Sequence, residues 1–249
     1  MPDQSARATV CSPQWPALQG LAVAFLFCLS AWPVRADVAQ EDTLLGLARS
    51  ADERGSTEVM KLEPRALASD GADATRQDDR LMLRLASGTR LTLRNGPDCK
   101  TLDPVNCTGF SLIVHARSRG IFLLLKYHYE SAEFVLVDDH SGRQTSIDGM
   151  PTFSPSGNRF LEFVDDEDVG LGIRIWRRVG RSFVQEWFGS PHTGAMSTDY
   201  KFIGWPTEDN VLIEAKADFT WPRPTVTTRF SLRRSVQGWR VVDGPAPAK

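Results

Sequence analysis

Residues 149 to 163 read Gly-Met-Pro-Thr-Phe-Ser-Pro-Ser-Gly-Asn-Arg-Phe-Leu-Glu-Phe, and they constrain the fold more than any other stretch. Pro155 presets φ for a tight turn, Gly157 tolerates a positive φ, and apolar residues flank both sides. The stretch predicts strand, turn, strand. A degenerate copy returns at Ile203-Gly-Trp-Pro-Thr-Glu-Asp-Asn-Val-Leu-Ile213. A strand–turn–strand unit recurring at a period of roughly 50 residues signals stacked antiparallel layers. It is a signal of architecture and not of chemistry.

From Arg80 onward nearly every segment reads as a short strand followed by a turn. Strands are expected over 81–85, 90–94, 110–115, 120–129, 133–138, 144–147, 151–153, 159–164, 171–177, 182–188, 200–203, 210–215, 225–232 and 238–242. The run 120–129 is almost wholly apolar, as in a strand buried on both faces. Tight turns at Gly88, Gly142, Gly180 and Gly238 each join two strands. Grouped in fours, the strands of 109–148, 150–188 and 198–243 each make one sheet, and the hairpin 81–94 is left over.

The phrase Pro151-Thr-Phe-Ser-Pro-Ser-Gly157 resembles the Pro-x-Phe-Ser-Pro-Asp-Gly phrase of TolB-like β-propeller repeats, with Ser156 in place of the usual Asp. The copy at Trp205 to Asn210 lacks the glycine, and near 115–120 only Gly120 remains. The resemblance implies an all-β chain: a propeller-like antiparallel array of about three four-stranded blades plus a hairpin, preceded by a short N-terminal helix. A β-sandwich or barrel is the alternative. Propellers need about four blades to close, and unclosed edges invite association.

The N-terminus has a different character. Residues 1–36 read as a signal peptide, with a mostly apolar run over 18–29 and small residues around Val34-Arg-Ala36. Cleavage before Asp37 implies a periplasmic or secreted protein. The run is too short to cross about 30 Å of hydrocarbon, so no stable membrane insertion is expected after cleavage. Residues 37–79 read as a helical segment, with Leu44, Leu45, Leu47 and Ala48 as its stripe, and a polar linker over 70–79. Whether that helix packs on the β-rich domain of 80–249 stays open.

Cleavage would remove Asp3, Arg7 and Arg35, leaving 27 basic and 30 acidic residues. A net charge of −3 gives no reason to expect nucleic acid or an anionic membrane as partner. Cleavage would also remove Cys11 and Cys28. Cys99 and Cys107 remain, with seven residues between them. In an exported chain this spacing favours a disulfide over a metal pair, worth roughly 2–3 kcal/mol on the loop-entropy account.

Chemical signals are sparse. Asp165, Asp166 and Asp168 form a candidate Ca²⁺ cluster, but the run lacks the alternating spacing that aims carboxylates at one point. A solvated inter-strand loop is the favoured reading, and no metal is assigned. His115, His128, His140 and His192 show no metal-ligand spacing. There is no Gly-x-Ser-x-Gly elbow, phosphate-binding loop or dinucleotide fingerprint. No catalytic residue and no cofactor are therefore assigned. Aromatics are the remaining lead. Trp176 lies beside Arg174 on one strand face, Trp221 lies in a proline-stiffened loop, and His192 lies on a loop rim. These four are the candidate ligand-binding residues. The expected function is an exported, non-enzymatic binding or interaction module for an envelope protein or a peptide. The alternatives are a carbohydrate-binding module that stacks glycans on Trp221 and Trp176, and a hydrolase using His128 or the acidic cluster.

Overall fold

The computed structural model describes residues 32–53, 55–96, 107–128, 131–166, 170–191, 197–218 and 226–243. Among the described residues three α-helices come first: α1 (Trp32–Asp52), α2 (Ser56–Met60) and α3 (Glu63–Asp70). Fifteen strands follow among the described residues, all paired antiparallel in four sheets. The first sheet holds β1 (Ala74–Gln77), β2 (Arg80–Arg84) and β3 (Arg90–Arg94). The second holds β4 (Thr108–Ala116), β5 (Ile121–His128), β6 (Ala132–Asp138) and β7 (Gln144–Ile147). The third holds β8 (Thr152–Phe153), β9 (Arg159–Asp166), β10 (Gly170–Val179) and β11 (Ser182–Gly189). The fourth holds β12 (Ser197–Thr207), β13 (Asn210–Asp218), β14 (Val226–Ser235) and β15 (Gly238–Asp243). Strands lie in chain order within each sheet, so every sheet is a meander. The all-β class and the grouping into three four-stranded sheets are as the sequence predicts.

Strand alternation sets the faces. In β2, Leu81 and Leu83 are buried while Arg80 and Arg84 are exposed. The turns use the glycines foreseen for them. Gly157 has φ 70°, a conformation that favours glycine, and an added Cβ would press within 3.0 Å of Arg119 Cγ. The degenerate copy manages without one. Its turn at Glu208-Asp209 contains no residue of positive φ.

One reading of the sequence changes. Residues 74–77, taken as part of a linker, form β1 and pair with β2 from Ala74↔Leu83 to Gln77↔Arg80. The leftover hairpin is thereby a three-stranded sheet. A backbone bond shows that it is built like the others. In each sheet, an amide at the end of the third strand donates to a carbonyl in the turn between the first and second strands. The four bonds are Asn95 to Asp79 (2.8 Å), Asp139 to Gly120 (3.1 Å), Arg178 to Asn158 (2.8 Å) and Arg234 to Asp209 (2.9 Å). Four units thus share one construction, although only one of them carries a clear sequence phrase.

Three apolar clusters hold the units together. Leu81, Leu83 and Leu93 of the first sheet pack on Leu112, Phe122, Leu124 and Val135 of the second. Ile113, Leu123, Leu125 and Phe134 on the other face of the second sheet meet Phe160 and Phe183 of the third, together with the helices. Leu161, Ile173 and Ile175 of the third sheet meet Val211, Ile213, Phe230 and Leu232 of the fourth. Successive sheets are therefore stacked face to face.

The N-terminal helix belongs to this body. Leu44, Leu45, Ala48 and Ala51 of α1 are buried in the middle cluster, at the spacing of one helix face. Burying each leucine contributes about 1.5–3 kcal/mol. Glu41 of the same face is also buried. It accepts the Ser118 backbone N–H (3.0 Å) and hydroxyl, and it pairs with Arg119 (3.4 Å). The turn Arg117–Arg119 between β4 and β5 is thus the docking point of α1. Among the described residues, no helix is long and apolar enough to cross a membrane.

Candidate functional site

A cleft of about 410 Å³ opens where the turn between β2 and β3 meets the end of β4. Its walls are Asp73, Arg84, Leu85, Ala86, Gly88, His115, Arg117 and Asp139. Three separate parts of the chain place its central group. β4 carries His115, α3 ends on Asp70, and β6 runs out into Asp139. His115 Nδ1 lies 2.7 Å from Asp70 Oδ1, and Nε2 lies 3.6 Å from Asp139 Oδ2. The imidazole also stacks on Phe122, with centroids 3.8 Å apart and planes 19° from parallel. Ring position and tilt are therefore fixed from three sides.

Asp70 sits at a helix C-terminus, where a negative charge is unfavourable. Arg117 offsets this. Its Nη2 donates to Asp70 Oδ1 (2.8 Å), to the Asp70 carbonyl (2.9 Å) and to Asp73 Oδ2 (2.9 Å). Two polar atoms are left over: Asp70 Oδ2 and His115 Nε2 are buried without a hydrogen-bond partner. Such groups are costly unless something satisfies them. Ligand atoms of Asp70, Asp73 and His115 lie within 4.8 Å of one another, close enough to surround one cation. The Arg117 guanidinium already bridges the two carboxylates, so a metal there would meet a fixed positive charge.

The carboxylates deeper in the molecule serve a different purpose. Glu162, fully buried, accepts the Gly149 N–H (2.7 Å), the Trp176 indole N–H (2.8 Å) and the Arg174 guanidinium (3.1 Å). Burial pushes its pKa above the ordinary carboxyl range, against those hydrogen bonds and the Arg174 charge. Glu186 ties the third sheet to the fourth, through Arg159 (2.9 Å), Arg234 (2.9 Å) and Trp239 (3.0 Å). Burial alone would raise its pKa. The Arg159 and Trp239 hydrogen bonds and the Arg159 and Arg234 charges hold it lower instead. Arg178 ties the third sheet to the second, through Asp138 (2.8 Å) and the carbonyls of Arg119 and Gly120. Arg178 and Arg234 occupy matching positions in their sheets, and each reaches back to the preceding one.

Trp176 and Arg174 are brought together on Glu162. The Trp176 ring stacks near Phe160 (5.8 Å), and the Arg174 guanidinium lies over Phe188 (5.6 Å). Both side chains are engaged inside the protein. Asp165 is exposed, and the backbone of Asp166 pairs with Gly170. Asp168, His192, Trp221 and Cys99 lie outside the described residues. His128 Nδ1 lies 3.1 Å from the Thr108 hydroxyl on the neighbouring strand. Asp70 and Arg117, which meet beside His115, escaped the sequence reading, because no local pattern links positions so far apart. No protein-family model matches the chain, and no curated protein matches it either.

Proposed function

We propose that the chain is an exported, non-enzymatic binding module whose ligand is a peptide or a segment of another envelope protein. The observation that carries this reading is the cleft between the first two sheets. It sets Asp73 and Asp139 beside Arg84 and Arg117, with His115 on the same wall. A peptide backbone offers donors and acceptors in alternation, which matches walls of both kinds. Among the described residues that line the cleft, no side chain carries a hydroxyl or thiol, so His115 has no side-chain nucleophile beside it there.

The same proposal includes export through residues 1–36, a Cys99–Cys107 disulfide, and descent of the four sheets from a TolB-like propeller repeat. Support for the last is the backbone bond common to all four sheets. Its physical reading is four blade-like units stacked in series.

The test is to pan a random peptide library against the protein and measure the selected peptides by calorimetry. Binding is expected to weaken at least about tenfold in an Arg84→Gln/Asp139→Asn variant, through loss of two charge-assisted hydrogen bonds. Equal affinity in wild type and variant removes the ligand from this cleft. Turnover of model esters or glycosides that disappears in His115→Ala contradicts the non-enzymatic reading.

A further inference from the structure

The outer face of the first sheet carries one sign of charge. β2 reads Arg-Leu-Met-Leu-Arg and β3 reads Arg-Leu-Thr-Leu-Arg. Alternation sends the leucines inward and all four arginines outward. The register then sets them directly opposite one another, Arg80 against Arg94 and Arg84 against Arg90. All four are exposed. Like charges facing across a sheet are destabilising, and most surfaces intersperse the two signs. Asp79 compensates one pair in part, at 4.0 Å from Arg80 and 3.6 Å from Arg94. Arg84 and Arg90 have no carboxylate partner among the described residues. The chain as a whole is slightly acidic, so this face is a local departure that the net charge conceals.

We infer that this face adsorbs to an anionic phospholipid surface. Its geometry and chemistry favour that partner over other polyanions. All four cations are arginines, whose forked donors match phosphate bidentately. Paired arginines stand about 5 Å apart, and the two pairs are about 13 Å apart along the strands. The face is a short three-stranded sheet with Met82 and Thr92 at its centre and no aromatic side chain. A single-stranded nucleic acid would call for stacking platforms, and a duplex for an element that enters a groove. A flat basic face instead meets a plane of phosphates. The inference rests on the charge pattern; Arg84 also borders the cleft, whereas Arg80, Arg90 and Arg94 do not, and the vesicle probe reads this face apart from any peptide bound in the cleft.

The test is co-sedimentation of the full chain with vesicles of phosphatidylcholine, and of phosphatidylcholine mixed with phosphatidylglycerol, at low and high salt. Binding is expected to rise with phosphatidylglycerol and to fall at high salt. An Arg84→Gln/Arg90→Gln variant is expected to lose about 30-fold of the phosphatidylglycerol-dependent partition. It is also expected to melt no lower than wild type, because a repulsive pair is removed. Arg240→Gln on the fourth sheet is expected to keep wild-type partition. Equal partition of wild type and the double variant overturns the inference. So does binding that ignores phosphatidylglycerol, or salt-sensitive binding to an oligonucleotide or a sulfated polysaccharide without binding to the vesicles.

Discussion

Replacing Glu162 with alanine is expected to lower the unfolding free energy by about 3–5 kcal/mol, the cost of removing one partner from a buried, hydrogen-bonded charge pair. Three donors lose their acceptor at once: the Gly149 amide, the Trp176 indole and the Arg174 guanidinium. Arg174 keeps Asp148 at 2.6 Å, but Asp148 is exposed and is the weaker anchor. Gly149 packs closely on the neighbouring strand, where an added Cβ would fall 2.2 Å from the Phe163 carbonyl. Urea denaturation followed by tryptophan fluorescence measures the loss. A change within about 0.5 kcal/mol, the range of ordinary surface substitutions, would show that Glu162 is not a buried anchor.

Glu162→Gln separates charge from shape. The wild-type carboxyl has its pKa raised by burial, so the folded state holds this proton more tightly than the unfolded state does. Its contribution is complete below the ordinary carboxyl range and is lost as pH rises through the folded value. Glutamine does not titrate. The wild type is therefore expected to lose stability relative to Glu162→Gln as pH rises from acidic toward neutral.

Phe122→Ala is expected to cost a similar amount, about 3–5 kcal/mol for a large aromatic removed from a packed core. Phe122 is fully buried between the first and second sheets. Its neighbours Leu83, Leu112 and Leu124 stand on rigid strands, so the cavity collapses poorly. The substitution also strips His115 of its stacking surface. The His115 imidazole resonances are then expected to broaden or shift, while those of His128 in the same sheet stay in place. Retained stability with unmoved His115 signals would contradict the packing described here.

The fold was legible where backbone conformation alone dictates it. Glycines that supply positive φ, together with apolar runs and apolar–polar alternation, marked strand boundaries and their grouping into sheets. β1 was hidden because Ala-Thr-Arg-Gln shows no apolar alternation. It is an edge strand held mainly by its ladder to β2. Docking of α1 was legible only as a stripe, since Leu44, Leu45 and Ala48 say that a face is buried without saying against what. The basic pairs Arg177-Arg178 and Arg233-Arg234 carry no pattern in the sequence that says what they touch. In the fold, Arg178 and Arg234 clasp neighbouring sheets, because the third strand of each sheet ends beside the sheet before it. The cluster around His115 was not legible at all. Asp70, His115 and Asp139 come from a helix end and two strand ends, and only the stacking of the sheets brings them together.

That stacking of like units is most directly tested by amide hydrogen exchange at Asn95, Asp139, Arg178 and Arg234. Each amide closes the turn of its own sheet onto its third strand, so all four are expected to exchange slowly and with similar protection. Fast exchange at Asn95, with slow exchange at the other three, would contradict a first sheet built on the same plan as the rest.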